Sequence, residues 1–334
     1  RKALLFLLLI MAALCYAGYR YDILPGLKSG AAEKPSGGNQ GQNGTKVPPE
    51  QTEPERKGDA LFAAKKYDEA LIEYDRELAA LTGDNANGPA KRIEHVAARA
   101  GECHAQIGEK LMAAKKQYEA RTELSRALRA PLPEERLAEI KDKTVKLNEY
   151  LIYSALPTAD SVEYVVVAGD ILKKIADKHG ATYEAVMRVN RMNKDNIRVG
   201  QVLKILQGTY AIEVSLSKMR LSLWLDDKFI REFPVGTGRP DSPTPIGTFT
   251  IHSREKDPVW WSPDGNSYPP GHPKNILGSR WMGLRERPSY GIHGTTQPET
   301  IGTACSNGCI RMHSADVEEV FDFVPIGTKV IISE

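Results

Sequence analysis

Two short segments hold the side chains with chemistry to offer. One is Tyr290-Gly291-Ile292-His293-Gly294-Thr295, and the other is Ser306-Asn307-Gly308-Cys309-Ile310-Arg311-Met312. A cysteine attacks a carbonyl as thiolate, and a free thiol with a pKa near 8.5 is only slightly ionised at neutral pH. An imidazole is its usual activator. Glycines on both sides of His293 and before Cys309 permit tight turns and close backbone approach to a substrate. Cys309 is therefore the candidate nucleophile and His293 the candidate general base, later the acid for a leaving amine. Backbone amides of Gly308 and Cys309 are candidates for the oxyanion of a tetrahedral intermediate. Arg311 carries a planar guanidinium suited to a carboxylate, either on a substrate or in a salt bridge bracing the loop.

The elements that must position these residues follow from periodicity. From Thr209 onward Ile212, Val214 and Leu216, then Leu221, Leu223 and Leu225, alternate with polar residues as in half-buried strands. Asp226-Asp227-Lys228 reads as a hairpin turn into Phe229–Val235, a proline-rich loop runs from Gly236 to Gly247, and Thr248–Ile251 is a further strand. The one clear helix here starts near Ser314, carries Val317, Val320 and Phe321, and stops before Pro325. Lys329–Ile332 is the closing strand.

Ahead of this mostly β region, Tyr164–Val167 reads as a strand and Gly169-Asp170 as a turn and N-cap for a helix with Ile171, Leu172, Ile175 and Ala176. Thr182 caps a second helix, and Val202–Ile205 closes the unit. Lys57 to about Tyr153 has helical spacing, with a turn at Lys65-Lys66 and a final helix whose stripe is Leu137, Ile140, Thr144, Leu147 and Leu151. Residues from about Pro25 to Arg56 are rich in Pro, Gly, Gln, Asn and Ser and read as a flexible tether. Lys2 precedes an apolar run from Ala3 to Tyr19, which reads as an uncleaved anchor or a signal segment with the remainder exported.

The motifs resemble known families. His293 in Gly-Ile-His-Gly-Thr, Ser-x-Gly-Cys at 306–309 and the following Arg311 resemble the active site of YkuD-type L,D-transpeptidases, cysteine enzymes of peptidoglycan cross-linking. The likeness extends over 209–334 and implies a β-sandwich, a Cys309 thioester formed with release of D-alanine from tetrapeptide stems, and acylation by carbapenems. It leaves the acceptor open among a diamino acid (a 3-3 cross-link), a protein lysine and water, the last being carboxypeptidase activity. It implies a backbone carbonyl orienting His293, with Ser306 resembling the residue that supplies it, and Asn307 standing where histidine is common. It places His272, Asn275 and Gly278 along the groove, with Trp260, Trp261 and Tyr268 as an apolar wall.

Val-x-x-Gly-Asp, Ile-Ala-x-x-His-Gly and Val-Gly-Gln-x-Leu-x-Ile resemble a LysM module N-terminal to the catalytic stretch. That likeness implies glycan contacts from Asp170, Ile171, Asn196 and Ile197. Gly58, Tyr67, Ala70 and Tyr74 resemble a tetratricopeptide hairpin, which implies a protein partner, with a plain helical spacer as the alternative.

The expected architecture is multidomain α and β: an anchor or signal at 1–20, a linker at 21–56, a helical TPR-like region at 57–156, a LysM βααβ module at 162–207 and a mostly β catalytic sandwich at 209–334. Peptidoglycan is the expected partner, the cell envelope the expected location, and a non-catalytic wall-binding scaffold the competing reading. A net charge of +2 with interleaved acids and bases leaves no basic face for nucleic acid. No cofactor is expected, since His272, His293 and His313 lack metal-ligand spacing. Four cysteines make no disulfide framework. Cys103 reads as a buried thiol, while Cys305 is either a small loop residue or a redox partner for Cys309.

Overall fold

The computed structural model describes residues 51–83, 89–262 and 264–334. The apolar run at Ala3–Tyr19 and most of the expected tether lie outside them. Among the described residues no helix is long and apolar enough to cross a membrane.

Among the described residues five helices come first: α1 (Glu53–Ala63), α2 (Tyr67–Thr82), α3 (Ala90–Ala113), α4 (Gln117–Ala127) and α5 (Glu134–Leu151). The tether was expected to reach Arg56, but α1 already begins at Glu53. Thr52 caps it by accepting from the Glu55 amide at 3.4 Å, and a proline occupies the first turn. The α1–α2 and α3–α4 hairpins repeat one construction. Gly58 lies against the ring of Tyr74, and Gly108 against Leu124, where an added Cβ would sit 2.8 Å away in both cases. Each hairpin turns through a lysine in the left-handed region, Lys65 at φ 59° and Lys115 at φ 58°. Cys103 is fully buried in the first of these layers, and burial pushes its thiol up to about 12.

The helices are joined to the β region rather than tethered to it. On α5 the buried Leu137, Ile140, Thr144, Leu147 and Leu151 form the expected stripe. Much of it shares one hydrophobic core with Ile212, Leu223 and Phe249. Asn148 donates to the carbonyls of Phe229 and Ile230 at 2.9 and 2.7 Å, and Ser125 accepts from the Phe229 amide at 3.0 Å. These bonds occupy the backbone of an edge strand that would otherwise be open to pairing with another chain.

Next comes a βααβ unit: β1 (Ser161–Val165), α6 (Leu172–Lys178), α7 (Tyr183–Val189) and β2 (Val202–Leu206), with β1 antiparallel to β2. Thr182 caps α7 as expected, accepting from Ala185. Asp170 does not cap α6, because the cap position falls to Ile171. Asp170 instead accepts from the Val167 amide at 2.8 Å and the Tyr164 hydroxyl at 2.9 Å, closing the loop on itself. Lys204, buried on β2, donates to the carbonyls of Leu151 at 2.6 Å and Ser154 at 3.1 Å, so the unit is fastened to the end of α5.

The remaining strands are β3 (Tyr210–Ser215), β4 (Arg220–Leu225), β5 (Lys228–Pro234), β6 (Thr237–Gly238), β7 (Gly247–Lys256), β8 (Trp260–Trp261), β9 (Ser267–Tyr268), β10 (Arg280–Leu284), β11 (Arg287–His293), β12 (Ala304–Ser306), β13 (Ile310–Arg311) and β14 (Lys329–Ser333), with α8 (Ser314–Phe323) before the last. The expected sandwich is instead one curled eight-stranded sheet in the order β13-β11-β10-β7-β14-β3-β4-β5. The reason lies in β7. Its first half pairs with β14 and its second half with β10, so one ten-residue strand carries the sheet around the core instead of leaving two separate layers. Asp226 and Asp227 make the β4–β5 turn with φ of 45° and 61°, as a two-residue hairpin requires. Val317, Val320 and Phe321 of α8 are buried against the sheet.

Candidate active site

The sheet edge brings the two motifs together. β11 and β13 run parallel with Ile292 opposite Ile310 and His293 opposite Arg311, so Cys309 enters beside β11 one residue before the pairing starts. Its Sγ donates to the Ser289 carbonyl at 3.8 Å and meets the Gly291 backbone. Ser289, Gly291 and His293 fall on one face of β11 by the two-residue period of a strand. Cys309 lies two residues before Arg311, the partner of His293, so strand alternation puts thiol and imidazole on the same face of the sheet edge.

The turn that carries Cys309 is held by Ser306, which is buried. Its hydroxyl donates to the Cys309 carbonyl at 2.6 Å and accepts from the Gly308 amide at 3.1 Å. Two expectations change here. The Gly308 amide is committed to Ser306, which leaves the Cys309 amide as the remaining candidate of the two. The carbonyls facing His293 are not that of Ser306 but those of the adjacent Gly294, 2.6 Å from Nδ1, and of Leu277. A carbonyl only accepts, so Nδ1 carries the proton and Nε2 keeps the basic lone pair. Asn307 is exposed at the tip of the turn.

His293 is buried, at 2 % exposure. Burial drives its pKa down to about 4, opposed by the Gly294 and Leu277 backbone bonds and assisted by the Arg311 charge. Trp281, unmarked by any sequence motif, contributes to that burial. Its ring stacks on the imidazole at 5.8 Å and 27°. Two glycines clear space for it: an added Cβ on Gly291 would meet the indole at 2.7 Å, and one on Gly283 would meet its Nε1 at 3.1 Å. Trp281 and His293 are cross-strand partners, as are Gly283 and Gly291.

Burial also raises the Cys309 pKa, against the smaller lowering effects of the Gly291 backbone and Arg311. Both shifts favour the neutral forms, thiol and imidazole, over an ion pair. The acid limb of kcat/KM should fall near pH 4, because activity needs unprotonated His293 and is lost only as pH drops through its depressed pKa. Alkylation of the free enzyme by iodoacetamide should be slow at pH 7 and accelerate as pH rises. An acid limb near 6.5, or fast alkylation at pH 6, would contradict this arrangement.

Arg311 is buried, with Nη1 reaching Gln297 Oε1 at 3.3 Å and Cys305 Sγ at 3.8 Å, and Nε without a hydrogen bond. No carboxylate lies within salt-bridge distance among the described residues, so a bracing ion pair does not account for it. Cys305 Sγ donates to Thr300 at 3.7 Å, and both cysteines are free thiols.

The aromatic wall is differently built from the expectation. Tyr268 stacks on Trp260 at 5.5 Å and lies tilted against His272 at 4.9 Å, whereas Trp261 stands 75 % exposed on the other side of the short β8–β9 hairpin. Strand alternation is the cause, since adjacent tryptophans must face opposite ways. Asn275 is buried as a post: it donates to the carbonyls of Pro258 and Tyr268 at 2.9 and 3.0 Å and accepts from Leu277 at 3.0 Å. It joins the hairpin to the segment whose Leu277 carbonyl faces His293. Gly278, at φ 67°, abuts the Gly294–Thr295 backbone, where a Cβ would lie 2.9 Å away.

In the LysM-like unit, Ile171 is 52 % exposed, Asn196 is exposed and Ile197 packs partly against the small core that includes Val166 and Leu203.

A half-buried cysteine and a buried histidine brought together at the edge of a curled sheet are the makings of a thiol acyl transferase. Residues 209–332 match the L,D-transpeptidase catalytic domain of the YkuD family, and residues 164–206 match the LysM domain. The LysM match lies in the interior of the chain, directly before the catalytic domain, and not at the N-terminus. A Bacillus licheniformis protein provisionally named L,D-transpeptidase YkuD is 35% identical over 178 residues, covering 51% of this chain and 98% of that protein. Its namesake from Bacillus subtilis (strain 168) is 33% identical over 177 residues, with the same coverage. The NMR structure of the catalytic domain from an E. faecium L,D-transpeptidase is 28% identical over 38% of this chain and 98% of that one, with a TM-score of 0.32 that carries no weight here. The chain belongs to the YkuD family of L,D-transpeptidases and is an enzyme of that class.

Proposed function

We propose that Cys309 and His293 carry out two-step acyl transfer on peptidoglycan stem peptides. His293 Nε2 takes the thiol proton as sulfur attacks the carbonyl of the third stem residue. The Cys309 amide stabilises the oxyanion, and collapse to the thioester expels D-alanine, whose nitrogen receives the proton from the imidazolium. An amine then attacks the thioester and restores the thiol. Arg311, buried without an acidic partner, meets a stem carboxylate, and the Trp260–Tyr268–His272 stack lines the approach. Proton bookkeeping carries this reading: Nδ1 is tied to the Gly294 carbonyl at 2.6 Å, so only Nε2 is left to act as a base.

The LysM module retains the enzyme on glycan through Asp170, Ile171, Asn196 and Ile197, raising local substrate concentration. The helical hairpins, whose Gly58–Tyr74 packing recurs as Gly108–Leu124, are tetratricopeptide-like and offer a surface to a protein partner. The limits 162–207 and 209–334 accompany this reading, with the helical region beginning at α1 rather than at Lys57. The Ala3–Tyr19 run and the tether after it would hold the enzyme at the envelope.

Incubation with disaccharide-tetrapeptide should release D-alanine and leave an acyl adduct on the peptide containing Cys309, read by mass spectrometry. Cross-linked dimer identifies an amine acceptor, tripeptide alone identifies water, and absence of both adduct and D-alanine would overturn the assignment.

A further inference from the structure

We propose that the sheet face beside Cys309 seats the acyl acceptor, a diamino acid whose main-chain carbonyl is bound by Ser253, His252 and the Trp281 indole while its side-chain amine reaches the thioester. This rests on the reading of Cys309 as the acyl carrier, and it selects a diamino acid over water.

The register lays out the face. Gly291, whose backbone meets the Cys309 sulfur, pairs with Gly283 on β10, and Gly283 pairs with Ser253 on β7. In the next row His293 pairs with Trp281, and Trp281 with Glu255. Ladder partners point to the same side, so base, indole, Ser253 and Glu255 share one face. Arg254 and Lys256 of β7 turn to the other side, where they meet Phe321 and Glu184.

Three polar groups gather over Gly283. A Cβ added there would lie 2.5 Å from Ser253 Oγ, 3.1 Å from His252 Nε2 and 3.1 Å from Trp281 Nε1. Adjacent strand residues ordinarily face opposite ways. Here Gly283 pairs with Ser253 but Leu284 with Ile251, so His252 is the extra residue of a bulge and joins Ser253 on this face. None of the three side chains is hydrogen-bonded among the described residues, and all reach solvent, His252 exposed and the other two half-buried. An indole N–H only donates, so the group it takes carries an acceptor oxygen. Glu255, exposed on the same face, repels a free carboxylate, and a neutral amide carbonyl is the oxygen that fits.

The indole itself leads from this cluster toward the sulfur. A Cβ on Gly291 would meet its six-membered ring at 2.7 Å, so the ring spans both glycines with its N–H edge toward β7. Its half-buried surface suits the methylenes of a long amine side chain. The sulfur lies on the β13 side of Gly291 and the cluster one strand further in, a span of about 8–9 Å from one strand spacing and one sulfur contact. A diamino acid extends about 8 Å from side-chain amine to main-chain carbonyl oxygen, whereas a glycine unit offers about 3 Å. In the transfer the neutral amine nitrogen attacks the thioester carbon, the carbon–sulfur bond breaks, and the amine proton passes through His293 Nε2 to the sulfur.

The full chain, given a tetrapeptide donor, is offered either Nα-acetyl-lysinamide or glycinamide as acceptor. Ser253→Ala and His252→Ala should each raise KM for the lysinamide about tenfold. KM for glycinamide and the rate of D-alanine release should stay within about twofold of wild type, the latter also confirming that the variants fold. If the double variant keeps the lysinamide KM within about twofold, the acceptor assignment fails while the Cys309 reading stands. Equal losses on both amines, or slowed D-alanine release, would place the cluster on the donor side and overturn the assignment as well. If the wild type releases D-alanine but transfers only to water, the acceptor assignment fails alone. If it releases none, both fail together.

Discussion

Cys309→Ala is expected to leave no D-alanine release above background, whereas His293→Ala should retain a rate lower by about 10²–10⁴. The asymmetry follows from what each side chain supplies. Without the sulfur there is no atom to accept the acyl group. Without the imidazole the thiol can still ionise to solvent, though its burial makes that rare at neutral pH. The surviving activity of His293→Ala should therefore climb with pH as thiolate forms, in contrast to the flat neutral region of the wild type. Because the two groups act on one proton, the double variant should be no slower than Cys309→Ala alone. Kinetics of D-alanine release across pH 4–10, with circular dichroism to check folding, decide the matter. Substantial turnover by Cys309→Ala would move the nucleophile elsewhere.

The neutral resting pair has a functional consequence. A thiolate held permanently beside an imidazolium is open to oxidation as well as to substrate. In the proposed mechanism the proton leaves sulfur as a carbonyl arrives to receive the charge, and the stacked Trp281 adds to the burial of the imidazole. Electrostatic help then comes from groups aimed at the developing oxyanion, where it lowers the barrier without first stabilising the reactant.

Local features of this arrangement were legible in the residues, and tertiary ones were not. Asp226-Asp227 announced a hairpin because few residues other than glycine, asparagine and aspartate tolerate two successive positive φ values. The α8 stripe and the Thr182 cap could be read for similar reasons. Cys309 and His293 stood out by chemistry and by their glycine-bounded settings. Trp281 gave no such signal, since its stacking depends on the β10–β11 register that sets it opposite His293 and sets Gly283 opposite Gly291. The role of Ser306 was misplaced because a serine supplies both a carbonyl and a hydroxyl, and spacing alone does not say which one faces the site. The union of α5 with β5 through Asn148 was equally hidden: an asparagine on a helix looks like any polar surface residue until its partner strand is known.

Gly308→Ala should lower kcat/KM by about 10²–10³ while the protein stays folded. Two effects coincide at this position. Gly308 has φ 101°, a conformation that residues with a side chain rarely adopt. Independently, a methyl group there would lie 2.2 Å from Tyr290 Cε1, 2.9 Å from its Cδ1 and 3.3 Å from the Pro243 carbonyl. Tyr290 sits on β11 between Ser289 and Gly291, the two residues that seat the Cys309 sulfur, so it cannot yield without disturbing that seat. If the turn yields instead, the bonds through which Ser306 holds Gly308 and Cys309 are strained. In both cases the sulfur moves relative to His293, and a displacement of about 1 Å costs about 10² in rate. The double variant Gly308→Ala with Tyr290→Ala separates the two causes. Removing the ring relieves the collision but not the backbone strain, so partial recovery assigns the difference to packing and the remainder to φ. Activity of the single variant within about threefold of wild type, less than 1 kcal/mol in transition-state terms, would show that the turn is not what places the sulfur.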